Sequence, residues 1–364
     1  MAEKLGIAVL ELTTDSSKFE HGIDAAHKKA GALTSAFDLG SKALFGVGVA
    51  AVAGLGVATK SAADFEAQMS GVKAVSGATG GEMDQLSKLA LQLGKDTSFS
   101  ASEAAQGIEE LVKGGVSIAD IMGGAALASL NLAAAGAIDL ASAAEIAANA
   151  MSQFGLKGTD VAHVSDLIAG AANASSLSVM DFKISLAQVG AVANLAGQSF
   201  DDTAQAIAVM GAAGIKGSDA GTSLKTMLMN LIPATDAQVA VFGKLGITLK
   251  DGSNRFFDAT GKARSMAEIA QILTVATENL TEQEKLRNLE IMFGSDAMRA
   301  AAIMAKAGAE GFETMAASMS KVSAASVAAE RLNNVKGSLE QLKGSLDTAA
   351  VMLGSVFLPI LKRL

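Results

Sequence analysis

The sequence predicts a mainly α protein: an Ala/Gly-rich multi-helix bundle with a short N-terminal strand, one small β-hairpin and a C-terminal coiled-coil-like helix. Three observations carry this. Half of the 364 residues are apolar and only two are Pro, the residue a helix tolerates least. Only 4% are aromatic, with 14 Phe and no Trp or Tyr, and Ala, Gly and Met carry much of the apolar count, so a core of small or pliable side chains is expected. From about residue 82 to 232 one device recurs, in which a polar cap opens an aliphatic helix and a Gly closes it. The 38 Gly argue for short helices, or for helices packed backbone to backbone.

Residues 5–14, LGIAVLELTT, read as a strand. From Asp15 to about Asp38, Phe19, Ile23, Ala26 and Ala30 keep helical spacing. Between Lys42 and Lys60 lies ALFGVGVAAVAGLGVAT, 17 residues without a charge. That is the bottom of the range of about 17–25 that a membrane span needs. Gly46, Ala50, Gly54 and Ala58 recur at every fourth position and form one stripe of small side chains. Such a stripe lets a second helix approach closely. The stretch therefore reads as a close-packing helix, set against another helix or a second copy.

The recurring device appears first as SFSASEAAQGIEELVKGGVS, where Ser100 and Glu103 form a capping box and Gly114 and Gly115 supply the left-handed stop. The second copy is opened by Asp139 and closed at Gly155, the third opened by Asp201 and closed at Gly214. The offsets differ, so this is a helix format and not a solenoid period. In LGITLKDGSNRFFDATG (245–261), β-branched and aromatic residues flank Asp251-Gly252, which predicts the hairpin. A further helical segment follows, capped in its second half by Thr281 with Glu284.

Leu332, Val335, Leu339, Leu342, Leu346, Ala349, Leu353, Val356 and Ile360 alternate three and four residues apart, the a/d seam of a coiled coil over about four heptads. Gly337 and Gly344 fall at the outer f position of that seam. After Thr348 the helix is apolar on nearly every side up to Pro359, which predicts deeper burial or a membrane-prone segment. The predicted organisation is 1–41, strand and amphipathic helix; 42–60, small-residue helix; 61–235, helical core; 236–310, hairpin and helices; and 311–364, heptad helix leading into the apolar segment. The abrupt LKRL end is read as a cut through a longer protein.

Several chemistries lack their residues. A net charge of −8 disfavours phosphate-driven nucleic-acid binding. With no Cys there is no disulfide, thiolate nucleophile or thiolate metal site, which fits assembly in a cytosol. The N-terminus, interrupted by Glu3 and Glu11, is not a secretory signal. His21, His27 and His163 show no metal-ligand spacing and read as surface histidines. Glu109-Glu110 and Asp201-Asp202 read as helix faces and caps. The loop MGAAGIKGSDAGTSLK (210–225) lacks a Lys between its last Gly and Thr222 and has no preceding strand, so it is a helix stop and restart, capped by Ser218 or Asp219, and not a phosphate loop. No catalytic, cofactor or metal site is expected.

That same loop, with Gly214, Gly217, Ser218, Gly221 and Thr222, lies in AVMGAAGIKGSDAGTSLKTMLMNLIP, which resembles the core of phage tail tape measure proteins. DFEAQMSGVKAVSGAT and LSKLALQLGKDTSFSASEAAQGIEELVKGGV resemble the start of that core in order and spacing, and EIMFGSDAMRAAAIMAKAG the part beyond it. The resemblance spans about residues 1–360. It implies a structural protein of a tailed phage, prophage or phage-like particle that lies in the tail tube lumen and sets tube length. It implies assembly in the host cytoplasm with the tail tube protein and tail assembly chaperones, and departure at genome ejection with contact to a host membrane. The heptad seam (Leu332, Val335, Leu339, Leu342, Leu346, Leu353, Val356) is the expected self-association surface of a few-copy homo-oligomer. The competing reading is a membrane-active helical protein, a pore-former or effector, using 43–59 and 348–361.

Overall fold

The computed structural model describes residues 48–361, and the side chains of 56–359. The predicted strand at 5–14, the helix at 15–38 and Gly46 lie outside the described residues, as do His21 and His27. Among the described residues the regular elements are helices. They are α1 (Gly48–Ser76), α2 (Gly80–Asp96), α3 (Ala101–Lys113), α4 (Ala126–Gly136), α5 (Leu140–Phe154), α6 (Val161–Ala174), α7 (Val179–Leu195), α8 (Phe200–Ala212), α9 (Gly217–Met229), α10 (Asp236–Lys244), α11 (Met266–Thr277), α12 (Glu282–Met319), α13 (Ala324–Leu332), α14 (Val335–Ser355) and α15 (Leu358–Leu361). A turn of helix at Ile118–Asp120 and a π-helical stretch at Ile121–Ala125 lead into α4.

Helix starts follow from local hydrogen bonding. At Thr79, Ser100, Ser178, Thr235, Ser265 and Thr281 the hydroxyl accepts the N–H three residues on, and the Glu, Asp or Gln there accepts the cap's own N–H. Each cap satisfies donors that a helix leaves unpaired and contributes about 1 kcal/mol. Asp139 caps α5 as predicted, accepting the Ser142 N–H at 2.8 Å. The third copy is corrected: Ser199, not Asp201, caps α8 by accepting the Asp202 N–H at 3.0 Å. Asp201 lies in the first turn instead. Gly155 and Gly214 close their helices at φ +65° and +87°. At the first stop the left-handed residue is Gly115 alone, at +84°.

These caps make stability depend on pH. Backbone N–H donors, foremost, hold the carboxyls of Glu82, Asp139, Asp181, Glu268 and Glu284 below their ordinary values. A depressed folded value means that the stabilisation is present above the unfolded range, near pH 4, and is lost as pH falls through the lower folded values. The melting temperature is therefore expected to hold from pH 7 to about 5 and to fall below about 4. A melting temperature flat down to pH 2, followed by circular dichroism, would contradict this.

The described chain divides into a large unit, Phe65–Thr348, and a smaller one formed by residues up to Asp64 with those from Ala349. In the large unit α4 packs on α5, α6 and α13, α7 packs on α5 and α9, and α12 lies across α8, α9 and α11. Ala residues fill the contacts between helices, and fully buried Phe182, Phe242, Phe256, Phe293 and Phe312 fill the wider gaps. Phe200 meets Phe154 edge-on at 5.5 Å, and Phe256 meets Phe242 edge-on at 5.9 Å.

The predicted hairpin is reduced to isolated antiparallel bridges, Thr248 with Asn254 and Phe257 with Ala263. The turn lies where predicted, with Gly252 at φ +87° and Asp251 accepting the Ser253 N–H at 2.9 Å. A ladder does not extend because the stop of α10, with Gly246 at φ +68°, engages the first strand's donors: the Ile247 and Thr248 N–H groups donate back to the Phe242 carbonyl at 2.9 and 3.2 Å. The predicted heptad helix is also interrupted. Leu332 ends α13, Asn333 departs from helical geometry, and α14 runs unbroken for 21 residues, three heptads.

Candidate interaction surfaces

The three surfaces expected from sequence resolve differently. In the core loop, Gly214 stops α8, and the Ile215 N–H bonds back to the Met210 carbonyl at 3.0 Å. Gly217 at φ +56° opens α9. No side chain caps this helix; its cap position is Lys216, so the expected Ser218 or Asp219 cap is absent. Asp219 instead faces Arg299 at 3.6 Å, and Ser218 is exposed. The loop is held from α7, where the buried Ser185 hydroxyl donates to the Gly217 carbonyl at 2.8 Å. Gly221 carries the contact further: a Cβ there would lie 2.4 Å from the Ser185 carbonyl oxygen. On the opposite side Ser223 donates to the Asp296 carbonyl at 2.8 Å. Thr222 is half-buried between these two contacts. The loop is thus a three-helix junction of α7, α9 and α12, made possible by a missing side chain.

The seam shows the largest departure. On α14 the buried positions are Gly337, Gly344, Thr348, Val351 and Gly354. The glycines assigned to the outer face are the packed face. A Cβ on Gly344 would lie 2.7 Å from the Phe99 carbonyl oxygen, and Ser345 donates to the Lys95 carbonyl at 3.1 Å. The physical reason is that the α2–α3 turn brings backbone, not side chains, to α14, and only a face without side chains can meet it. The leucine seam faces outward in consequence. Val335 is 79% exposed, Leu339 59%, Leu342 54% and Leu346 55%. Leu353 and Val356 are also exposed, and Leu332 is half-buried. The burial expected after Thr348 is confined to one side, at Val351 and Gly354.

Of the small-residue stripe, Ala50 and Gly54 are described only as helical backbone, and Ala58 is buried. In the small unit a Cβ on Gly354 would collide with the Ala58 carbonyl and reach Ala62 at 2.8 Å. Ala58 therefore packs closely against a second helix of its own chain.

His163 is exposed on α6 and faces the Asp201 carboxylate at 2.9 Å. Glu109 and Glu110 both pair with Lys113, whose ammonium is pushed up to about 12 chiefly by the Glu109 hydrogen bond. Among the described residues no three His, Cys, Asp or Glu side chains are grouped to hold a metal. Among them, the helical stretch long and apolar enough to cross a membrane is Ile118–Gly136, half buried in the fold. It coincides with neither 43–59 nor 348–361, and the membrane-active reading gains no support.

The sequence reading missed the glycines that meet backbone, such as Gly344 and Gly170, the latter with the Met319 carbonyl 2.5 Å from a Cβ position. It also missed two glycines inside α12. Of the two, Gly308 stands where the aliphatic stripe of α12 would otherwise continue, and Gly294 stands beside that stripe.

Residues 87–294 match the family described as phage-related minor tail protein. The chain is 32% identical over 373 residues to the tape measure protein of Pneumococcus phage Dp-1, covering 99% of this chain and 32% of that protein. It is 28% identical over 232 residues to the probable tape measure protein of Escherichia phage P2, covering 63% of this chain and 28% of that protein. The chain thus spans about a third of the length of these curated relatives. No solved structure matches it.

Proposed function

The chain belongs to the phage-related minor tail protein family, and on that premise we propose that it is part of a tail tape measure, a structural protein that sets tube length and scaffolds tube assembly. The observation that carries the reading is similarity to a tape measure protein along 99% of the chain. In this role several copies associate through the outward seam of α14, Val335, Leu339, Leu342 and Leu346, where large apolar side chains recur at a/d spacing and stand in solvent. The tail tube protein polymerises around the copies with assembly chaperones, in the host cytoplasm, and the finished protein occupies the tube lumen of the virion. At genome ejection it leaves the tube and meets the host membrane. The net charge of −8 suits a lumen through which DNA must pass without being held. The role requires no catalysis. The stripe Gly46, Ala50, Gly54 and Ala58 serves helix packing. The test is tail length in electron micrographs, read for a series of in-frame deletions and duplications in the full-length gene.

A further inference from the structure

α12 is 38 residues long but turns twice, at Gly294 (φ 80°, ψ 166°) and Gly308 (φ 58°, ψ −170°). Both conformations fall in a region that essentially only Gly occupies. The backbone groups near each elbow are held by side chains from neighbouring helices. At the first, the buried Gln238 amide donates to the Met292 carbonyl at 3.0 Å, and Asn230 donates to the Phe293 carbonyl at 3.4 Å. At the second, Thr274 donates to the Ala305 carbonyl at 2.6 Å, and Gln271 accepts the Ala309 N–H at 3.2 Å. The limbs on either side of Gly294 also line a cleft of about 730 Å³, with Leu286 and Leu289 from one and Met298 and Ala302 from the other.

The sequence nevertheless keeps the register of one helix through both elbows. Leu286, Leu289, Phe293, Ala297, Ala300, Met304, Gly308, Phe312, Met315 and Met319 follow one another in steps of three and four. Positions eleven apart repeat, as in Phe293, Met304 and Met315. A repeat of 11 over three turns is 3.67 residues per turn, close to a straight α-helix. Two unrelated helices joined at a glycine have no reason to share a phase. The side-chain locks favour the bent form, and the shared phase favours the straight one.

We propose that α12 is a two-state element, folded here at Gly294 and Gly308, that converts to one uninterrupted helix of about 57 Å when the locks from Gln238, Asn230, Thr274 and Gln271 release. Its use rests on the tape-measure reading: a single helix, about 10–12 Å across, suits a narrow tube better than the bundle in which α12 is packed. The conversion itself does not rest on that reading, because it is measured on the chain alone.

The chain has no Cys, so a pair introduced as Arg287→Cys and Glu313→Cys labels cleanly with nitroxides. Both positions are exposed and neither contributes to a lock. In a straight helix their backbones stand about 39 Å apart, and in the bent one closer. Adding Gly294→Ala and Gly308→Ala, which penalises the elbows and favours the helix, is expected to produce a population near 39 Å in pulsed dipolar spectra. Releasing the locks with Gln238→Leu and Thr274→Val, both glycines intact, is expected to produce the same population. Gly243→Ala, in open space on α10, should leave the distance unchanged. An unchanged distance in both folded variants overturns the proposal. So does loss of helical circular dichroism without a long-distance population, since a straight form with no stability of its own is then the finding.

Discussion

Gly221→Ala is expected to destabilise the chain by about 3 kcal/mol, the reverse of what the change does in an open helix, where Ala is better than Gly by about 1 kcal/mol. The added methyl would meet the Ser185 carbonyl oxygen at 2.4 Å, the Gln188 Cβ at 2.7 Å and the Ser185 Cα at 2.9 Å. Two of these three atoms are backbone within α7 and cannot move as a side chain would. Relief requires α9 to back away from α7. That would stretch the Ser185–Gly217 hydrogen bond at 2.8 Å and press the other side of α9 towards the Ser223 contact with α12. Gly243→Ala, with nothing within 4 Å, is the matched control and is expected to be neutral or stabilising. Urea unfolding followed by circular dichroism reads both. Equal behaviour of the two variants would mean that the α7–α9 crossing is not held by close approach.

Leu339→Asp with Leu346→Asp is expected to abolish the proposed self-association through α14 while leaving the fold intact. The two leucines are 59% and 55% exposed in the single chain, so their loss removes little that the fold uses. In a seam between two copies they would be covered, four side chains in all, at about 1.5 kcal/mol or more each. That amounts to a weakening of association by about 10⁴-fold. Gly344→Leu should show the opposite signature. Its side chain would be forced into the Phe99 backbone, 2.7 Å from the Cβ position, so the fold suffers first. Sedimentation velocity beside thermal melting separates the two. A double-Asp variant that associates like the parent would remove α14 as the seam.

The parts of the fold legible in the sequence are those whose cause is local. A capping box is a contact between residues three apart, so Ser100 with Glu103 and Thr281 with Glu284 could be read directly. The third cap was misplaced by two residues because Ser199 and Asp201 are both good cap residues, and only the phase of α8 chooses between them. Helix faces were harder. A heptad rule puts leucines inward and glycines outward, and α14 does the reverse, because its neighbour at Lys95–Phe99 presents backbone. No pattern within residues 332–360 records that. The hairpin is cut short for another reason: the turn at Asp251-Gly252 is local, but the stop of α10 at Gly246 ties the Ile247 and Thr248 N–H groups to the Phe242 carbonyl, and how far a helix end reaches into the next strand is not written in a turn signal. The core loop was readable as a stop and a restart, while its partner α7, some 30 residues earlier, was not. The elbows at Gly294 and Gly308 were hidden by the very continuity of register that makes them informative.

The central claim, that this chain is part of a protein whose length is its function, is tested most directly by tail length. In-frame deletions and duplications made in the full-length gene are expected to shorten or lengthen tails in proportion to the residues removed or added, by about 1.5 Å per residue where the added segment is helical. Tails of unchanged length across such a series, measured in electron micrographs of intact particles, would contradict it.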